Sequence, residues 1–405
     1  MTVALGLASG VLALRAPGQE VDHCKSCHPE VSAAELGRPH ELAGIRCTDC
    51  HGGDSTRESQ EEGKASSTGF RAGLDRQAVV EICGRCHSDV GRMNSFGIPT
   101  DQLARYLTSR HGKALFDDSS EDTATCSDCH GSHGIQGPEK AESPVHPKNV
   151  PATCGRCHSD PGFAERTGLR GDVGQLFVES VHGDLLLLKG DASAPQCATC
   201  HDSHGSVPSG FGEVSAVCGK CHVEQEEFFL RSPHAPLLEQ GEFAGCVVCH
   251  GDHHVLKADP RIFDRICKLC HEEGQKAVQV RQALQDQLRL TKERFEQAER
   301  KLALGFQKGI ATPDDQVLLE SARAALERMA PAQHSLSPEL LQPIADEAAT
   351  LMGRLDEILD AAATRETRKR AAILPVVLFF VLMSLGFFLR FRRIHRTQWS
   401  EGDEG

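Results

Sequence analysis

The cysteines of this chain occur only as pairs separated by two residues, and each pair is followed directly by a histidine. The pattern C-x-x-C-H occurs nine times and accounts for all 18 cysteines. It is the attachment sequence of c-type haem, in which both thiols form thioethers to the porphyrin and the histidine binds the iron. The cysteines expected to bind haem are Cys24, Cys27, Cys47, Cys50, Cys83, Cys86, Cys126, Cys129, Cys154, Cys157, Cys197, Cys200, Cys218, Cys221, Cys246, Cys249, Cys267 and Cys270. The expected proximal iron ligands are His28, His51, His87, His130, His158, His201, His222, His250 and His271.

Other uses of paired cysteines explain the pattern less well. Two cysteine pairs could supply the four ligands of a tetrahedral zinc site, but such a site would not require a histidine directly after every second cysteine. A thioredoxin-like dithiol occurs once in a βαβ setting, not nine times in a Gly-rich chain. No cysteine lies outside the motifs to form a disulfide. The sequence therefore predicts nine covalently attached haems.

The sixth iron ligands must come mainly from histidine, because Met93 is the only methionine in the motif-bearing stretch. Twelve of the 21 histidines are not proximal, and ten of these precede residue 272. Those at recurring positions are predicted distal ligands: His40, His111, His133, His182, His204, His234 and His253. Three further candidates are His146, His254 and His334. His23 directly precedes Cys24, so a surface role is expected for it.

The motifs repeat in modules of two. A module begins with a histidine, which lies within Ser-x-His-Gly in modules 2 and 3 and within Ser-Pro-His-Ala in module 4. It continues with a first motif extended to C-x-x-C-H-x-x-H and closes with a second motif. Module 1 contains His40 and the motifs Cys47–His51 and Cys83–His87, and module 2 contains His111 and the motifs Cys126–His130 and Cys154–His158. Module 3 contains His182 and the motifs Cys197–His201 and Cys218–His222, and module 4 contains His234 and the motifs Cys246–His250 and Cys267–His271. Module 1 departs from the pattern because Asp54 stands where the extra histidine should be, and the motif Cys24–His28 precedes all four modules. Spacing does not assign distal ligands to haems, because a ligand can come from a neighbouring module.

The composition fits a core built of cofactor. Aromatic residues make up only 5% of the chain, with a single Trp and a single Tyr. About 28 residues are available per haem between Cys24 and His271, too few for long helices or a sheet. We expect a mainly α fold with extensive irregular loops over residues 20–272, organised by the covalently bound haems.

A helical region and an apolar segment follow. Residues 273–366 show helical periodicity in three stretches, the second starting near Pro313 and the third near Ser337, which predicts an amphipathic helical bundle or stalk. This region is a spacer or a docking site for a partner. Residues 371–389 carry no charge and would rise about 28 Å as a helix, enough to cross a bilayer. The segment contains no histidine, so by itself it cannot hold a b-type haem through two imidazoles.

Basic residues are equally frequent on both sides of residues 371–389, so they do not orient the span. Because c-type haem is attached outside the cytoplasmic membrane, the haem domain is expected on the periplasmic or extracytoplasmic side and residues 390–405 in the cytoplasm. Residues 1–19 resemble a signal peptide with an apolar run from Thr2 to Leu14, although no basic residue precedes it.

The acidity of the chain belongs to the haem region. Residues 1–275 contain 25 Lys and Arg against 39 Asp and Glu, a net charge of −14. Nucleic-acid binding requires the opposite sign and is excluded. An acidic redox surface suits a basic partner protein, although acidity also keeps an exported protein soluble.

Residues 20–272 resemble the multihaem c-type cytochromes with doubled C-x-x-C-H motifs, and the repeated C-x-x-C-H-G-x-H segments carry the resemblance. It implies electron transfer between membrane respiratory components and soluble or extracellular acceptors. Some relatives are enzymes, so the alternative is an oxidoreductase that acts on a small nitrogen or sulfur compound at one five-coordinate haem. That haem would be sought at Cys24–His28, Cys47–His51 or Cys83–His87. The C-x-x-C-K motif of pentahaem nitrite reductases is absent, and Tyr106 lies far upstream of the cross-linking tyrosine of octahaem hydroxylamine oxidoreductases.

Overall fold

The computed structural model describes residues 22–205, 211–257, 262–272 and 275–400. Every regular element in these ranges is helical, which confirms the expected mainly α fold with extensive loops. The signal-like residues 1–19 and the last five residues of the tail lie outside the described residues.

The chain forms two compact units, residues 1–210 with 250–257 and residues 211–249 with 258–405. The division falls within the motif-bearing stretch and not at residue 272, where the composition changes. The second unit therefore combines haem motifs with the helical region.

The first unit is built of short helices joined by loops. Its α-helices are His23–Cys27, Pro29–Glu35, Pro39–Leu42, Cys47–His51, Gln60–Gly63, Arg76–His87, Val90–Met93, Gln102–Thr108, Arg110–Phe116, Cys126–His130, Val150–His158, Pro161–Thr167, Val173–Val178, Val181–Gly183 and Cys197–His201. Single turns of 3-10 helix occur at Ser66–Thr68 and Asn94–Phe96, and a π-helical turn at Asp184–Leu188. The helix Cys246–His250 contains residues of both units.

The first motif of each module forms a helix of its own that begins at the first cysteine. In Cys126–His130 the Thr125 N–H donates to the Asp128 carboxylate at 2.7 Å, which closes a capping box over the exposed amides. After the histidine the backbone turns at positive φ, at Gly52, Gly131 and Gly251 but also at Asp202. Glycine adopts this conformation without strain, which explains the frequent C-x-x-C-H-G.

The apolar core of the motif-bearing stretch is small. Val80, Tyr106 and Leu115 form a cluster in the first unit, where the Tyr106 hydroxyl donates to the Ala124 carbonyl at 2.8 Å. Among the described side chains, ten hydrophobic residues are buried before residue 273 and 16 after it. The shorter C-terminal region thus has the larger protein core, as expected if haem fills the space between the motif helices.

The second unit contains the predicted amphipathic helices. Its shorter elements are Phe211–Gly219, Val223–Phe229, Ala235–Glu239, Ile262–Ile266 and the 3-10 turns Cys267–Leu269 and Gln333–Ser335. The long helices are Lys276–Gln307, Pro313–Ala332 and Pro338–Ser400.

The three long helices pack into a bundle through two apolar clusters. Phe295, Leu319 and Leu355 are central to one, and Leu284, Met329 and Leu341 to the other. Phe228, from the helix that follows the motif Cys218–His222, packs against the second cluster. The bundle is therefore joined to the haem motifs of its own unit by apolar contacts.

The third long helix runs without a break through the bundle and the apolar segment. We expected a separate helix for residues 371–389, but residues 361–374 contain neither glycine nor proline to end the bundle helix. In the described part of the chain this is the one helix long and apolar enough to cross a bilayer, with a mean hydropathy of 2.7 in a window that has no buried residue. Its length and composition are compatible with a single-pass anchor.

Candidate haem-binding sites

Imidazole rings from distant parts of the chain face each other in pairs. Each pair joins a predicted proximal histidine to a predicted distal one. The ring centroids are 6.1 Å apart in His40–His87, 6.2 Å in His51–His133, 6.2 Å in His111–His158, 6.1 Å in His130–His204, 5.7 Å in His201–His253 and 6.1 Å in His234–His271.

This spacing tests whether the residues fit haem. A metal–imidazole bond is about 2 Å long, so two imidazoles on opposite sides of one iron have centroids about 6 Å apart. Two imidazoles in direct contact could also have centroids about 6 Å apart. Direct contact, however, gives no reason why every pair should contain one predicted proximal histidine. The six pairs therefore match the space required for an iron with two axial histidines.

Two rules describe how the modules share these histidines. The histidine that ends C-x-x-C-H-x-x-H faces the first motif of the preceding module, as in His51–His133, His130–His204 and His201–His253, with ring planes 20°, 3° and 13° apart. In modules 1, 2 and 4 the histidine that begins the module faces the second motif of the same module, with ring planes 58°, 49° and 32° apart. The sequence alone did not reveal either rule.

The Ser-x-His-Gly sequence holds the second kind of histidine in place. Ser109 has no exposed surface, and its Oγ accepts a hydrogen bond from the Gly112 N–H at 3.0 Å. Ser180 caps Gly183 in the same way at 3.0 Å. A Cβ atom at Gly112 would lie 2.0 Å from the Tyr106 carbonyl oxygen, so no larger residue fits there. The cap and the glycine together fix the short helix that carries His111.

Burial disfavours protonation of most of these imidazoles. It lowers the pKa of seven of the paired histidines, because desolvation disfavours the charged ring: His87, His111, His130, His158, His201, His204 and His234. Neutral imidazole is the form that binds a metal.

Motifs that are consecutive in the sequence lie beside each other within each unit. In the first unit a hydrogen bond with Cys126 raises the pKa of the Cys83 thiol, and one with Cys197 raises the pKa of Cys154. In the second unit a hydrogen bond with Cys218 lowers the pKa of Cys246 to about 6.

Weaker contacts connect other consecutive motifs. Burial and then the nearby Cys83 raise the pKa of Cys50, and burial and then Cys154 raise the pKa of Cys129 to about 11. Burial and then Cys267 raise the pKa of Cys249 to about 11. Groups attached at these cysteines would therefore be neighbours.

The remaining predicted ligands differ in their surroundings. His334 is half-buried, and its Nδ1–H donates to the carbonyl oxygens of Pro331 at 3.0 Å and Ala330 at 3.1 Å. His182 holds the same module position as His40 and His111, and the Ser180 cap fixes its helix. In the described ranges no second imidazole faces His28, His146 or His254 at the spacing of the six pairs.

The expected location of a five-coordinate haem changes accordingly. We expected it at one of the first three motifs, but His51 faces His133 and His87 faces His40. Only His28 of that group lacks a facing imidazole among the described residues. A lysine that the sequence did not single out lies there, with Lys64 Nζ 3.4 Å from His28 Nε2.

Two family models match the chain. Residues 39–159 match cytochrome c3, and residues 190–227 match the doubled CXXCH motif. The multiheme cytochrome MtrA of Shewanella baltica is 24% identical over 197 residues, which cover 46% of this chain and 47% of MtrA. The C-type polyheme cytochrome OmcB of Geobacter sulfurreducens is 23% identical over 196 residues, 45% of this chain and 20% of OmcB. The chain thus spans about half the length of the first relative and a fifth of the second. No solved structure matches it significantly.

Proposed function

This chain is a multihaem c-type cytochrome with covalently bound haem, and we propose that it carries nine haems and transfers electrons between membrane respiratory components and soluble or extracellular acceptors. The observation that carries the proposal is the set of six histidine pairs, each spaced for two axial ligands on one iron.

We propose that all nine motifs attach haem and that the facing histidines of the six pairs are distal ligands. We assign His334 to His222, because burial and, to a smaller extent, the nearby His222 lower the pKa of His334 in the second unit. We assign His182 to His250, because the Val181 N–H donates to the Val255 carbonyl at 3.0 Å within the first unit. His182 is supported by its module position, and His334 by its carbonyl-bound Nδ1, the usual arrangement of a metal-binding histidine. His146 and His254 are not needed in this scheme.

The histidines decide which chemistry is available. Bound haem supplies an iron that accepts and gives up single electrons. The two histidines of each pair would both bind the iron of a bound haem, so they would exclude substrate from it while leaving electron transfer open. The alternative, an oxidoreductase for a small nitrogen or sulfur compound, requires an open position that the six pairs do not offer.

The arrangement of the motifs supports transfer within the chain. Thiols of consecutive motifs are in contact at Cys83 and Cys126 and at Cys154 and Cys197, so the cofactors attached there are close neighbours. Short steps between neighbouring cofactors favour electron transfer through the protein rather than through solvent.

Haem content and spin state test the proposal. We expect a pyridine haemochrome assay on the purified full-length protein to give nine haems per chain, and electron paramagnetic resonance of the oxidised protein to show low-spin iron throughout. A content well below nine would refute the nine-haem proposal. Strong high-spin signals from several haems would refute paired axial ligation and favour the enzyme.

We further propose that residues 371–389 anchor the protein in the cytoplasmic membrane, with the haem domain on the periplasmic or extracytoplasmic side and residues 390–405 in the cytoplasm. The side chains of Ile373, Phe380 and Phe388 are more than half exposed, as lipid-facing residues would be. Covalent haem attachment outside the cytoplasm supports the orientation.

Removal of the anchor is expected to release the protein. A chain that ends at Arg370 should move from the membrane fraction to the soluble periplasmic fraction with its haem retained, because the bundle core ends before that residue. A chain lacking only residues 394–405 should stay in the membrane. Sedimentation of haem-stained protein measures both, and a membrane-bound Arg370 truncation would contradict the anchor.

The acidic haem region supports a basic redox partner. Attraction between opposite surface charges speeds encounter and is screened over about 8 Å at physiological salt. The rate of electron transfer to a basic soluble acceptor should therefore fall as the salt concentration increases. A rate independent of salt would contradict a basic partner and indicate that the acidic residues serve only to keep the protein soluble.

A further inference from the structure

We propose that Lys64 is the distal iron ligand of the first haem, which gives the haem attached at Cys24 and Cys27 one histidine and one lysine as axial ligands. The inference rests on the proposed nine-haem function and assigns a ligand to the one motif for which the scheme above supplies no distal histidine, Cys24–His28.

The module rule shows which ligand is missing. In modules 2, 3 and 4, the histidine three residues after the first proximal histidine faces the first motif one module earlier. In module 1 that position is Asp54, so the motif before it, Cys24–His28, receives no histidine. A replacement is therefore required at this haem if its iron is to have six ligands.

The loop that begins at Asp54 is folded back on itself and attached to the first motif helix. The Asp54 N–H donates to the Gly63 carbonyl at 2.9 Å, and the Gly53 N–H donates to the Thr68 carbonyl at 3.1 Å. The His23 N–H donates to the carbonyl of Ser55, a buried residue, at 2.9 Å. Lys64 follows directly after Gly63, so these backbone bonds fix the start of its side chain beside the first motif.

The side chain of Lys64 points at the iron-binding nitrogen of His28. Lys64 Nζ lies 3.4 Å from His28 Nε2, while the Glu30 carboxylate lies 3.7 Å from the other ring nitrogen, Nδ1. Two nitrogens bound to one iron would lie about 4 Å apart, so an iron needs only a small withdrawal of the lysine. The Phe70 ring lies 5.4 Å from Nζ and supports the side chain.

A neutral lysine nitrogen has one lone pair and can bind a metal, whereas a guanidinium cannot, because arginine is not deprotonated in proteins. Coordination by Lys64 would close the first iron to substrate while making its ligand field different from that of the histidine-paired haems. The first haem would then be an electron-transfer haem at the N-terminal end of the motif series.

The test compares full-length holoprotein carrying Lys64→Arg, Lys64→Ala or Lys64→His with the unchanged chain. We expect the unchanged oxidised protein to be entirely low-spin, with a near-infrared magnetic circular dichroism band of the histidine–amine type beside the histidine–histidine band. Lys64→Arg keeps a long basic side chain that cannot bind iron, so it should convert one haem in nine to high spin and let the reduced protein bind one carbon monoxide per chain. Lys64→Ala should do the same, and Lys64→His should restore low-spin iron without the histidine–amine band.

Lys25→Arg is the matched control. Lys25 lies within the same motif but pairs with Glu41 at 3.3 Å, so its replacement should leave the spectra unchanged. A high-spin haem in the unchanged protein, or identical spectra for Lys64→Arg and the unchanged chain, would overturn the ligand assignment. Haem content separates this result from the proposed function, because nine haems with a failed Lys64 test leave electron transfer intact, whereas a low haem count contradicts the function itself.

Discussion

Removing the haem attached at Cys126 and Cys129 is expected to interrupt electron transfer through the first unit. The double substitution Cys126→Ala and Cys129→Ala should leave eight haems per chain and reduce transfer from membrane donors to a soluble acceptor to near background. The reason is position: Cys126 contacts Cys83 of the preceding motif, and Cys129 lies near Cys154 of the following one. Without this haem, the cofactors on either side have no close neighbour between them.

The matched control removes a haem from the end of the series. Cys24→Ala with Cys27→Ala also leaves eight haems, but the remaining motifs keep their neighbours, so most of the transfer activity should persist. The measurement is the rate of acceptor reduction by membranes supplied with a respiratory donor, normalised to haem content. Equal rates for the two variants would mean that electrons do not pass along the motif series.

The second large effect is expected from a distal histidine. His204→Ala should convert the haem of His130 from low-spin to high-spin iron, because His204 is the imidazole that faces His130 at 6.1 Å with a plane angle of 3°. The reduced variant should bind one carbon monoxide per chain, and the unchanged protein should bind none. Optical titration with carbon monoxide measures this stoichiometry.

The control for this substitution is His146→Ala. His146 was a candidate ligand by sequence, but its Nδ1 accepts a hydrogen bond from the Lys148 N–H at 3.3 Å, and no imidazole in the described residues faces it at ligand spacing. Its replacement should leave the spin states unchanged. If His146→Ala opened a haem and His204→Ala did not, the pairing proposed from the ring geometry would be wrong.

The fold could be predicted in outline. The C-x-x-C-H motifs and low aromatic content predicted short helices around haem, and the periodicity after residue 272 predicted the bundle, because both signals are local. The continuous helix Pro338–Ser400 could not be predicted in this way, because the change from amphipathic to apolar composition indicates a boundary between two elements. The composition changes near residue 371, but residues 361–374 contain no glycine or proline that would end the helix.

The sequence by itself determined the attachment chemistry, because thiols and a histidine at fixed spacing act within one helical turn. It also identified the histidines of the six pairs, because their positions recur. Only the tertiary structure decided which histidine faces which motif, since His133 lies 82 residues after His51 and the two meet through packing of separate modules. It alone placed Lys64 at His28, because one lysine in an irregular loop has no periodicity or motif, and only the backbone hydrogen bonds that fold the loop direct its side chain to that nitrogen.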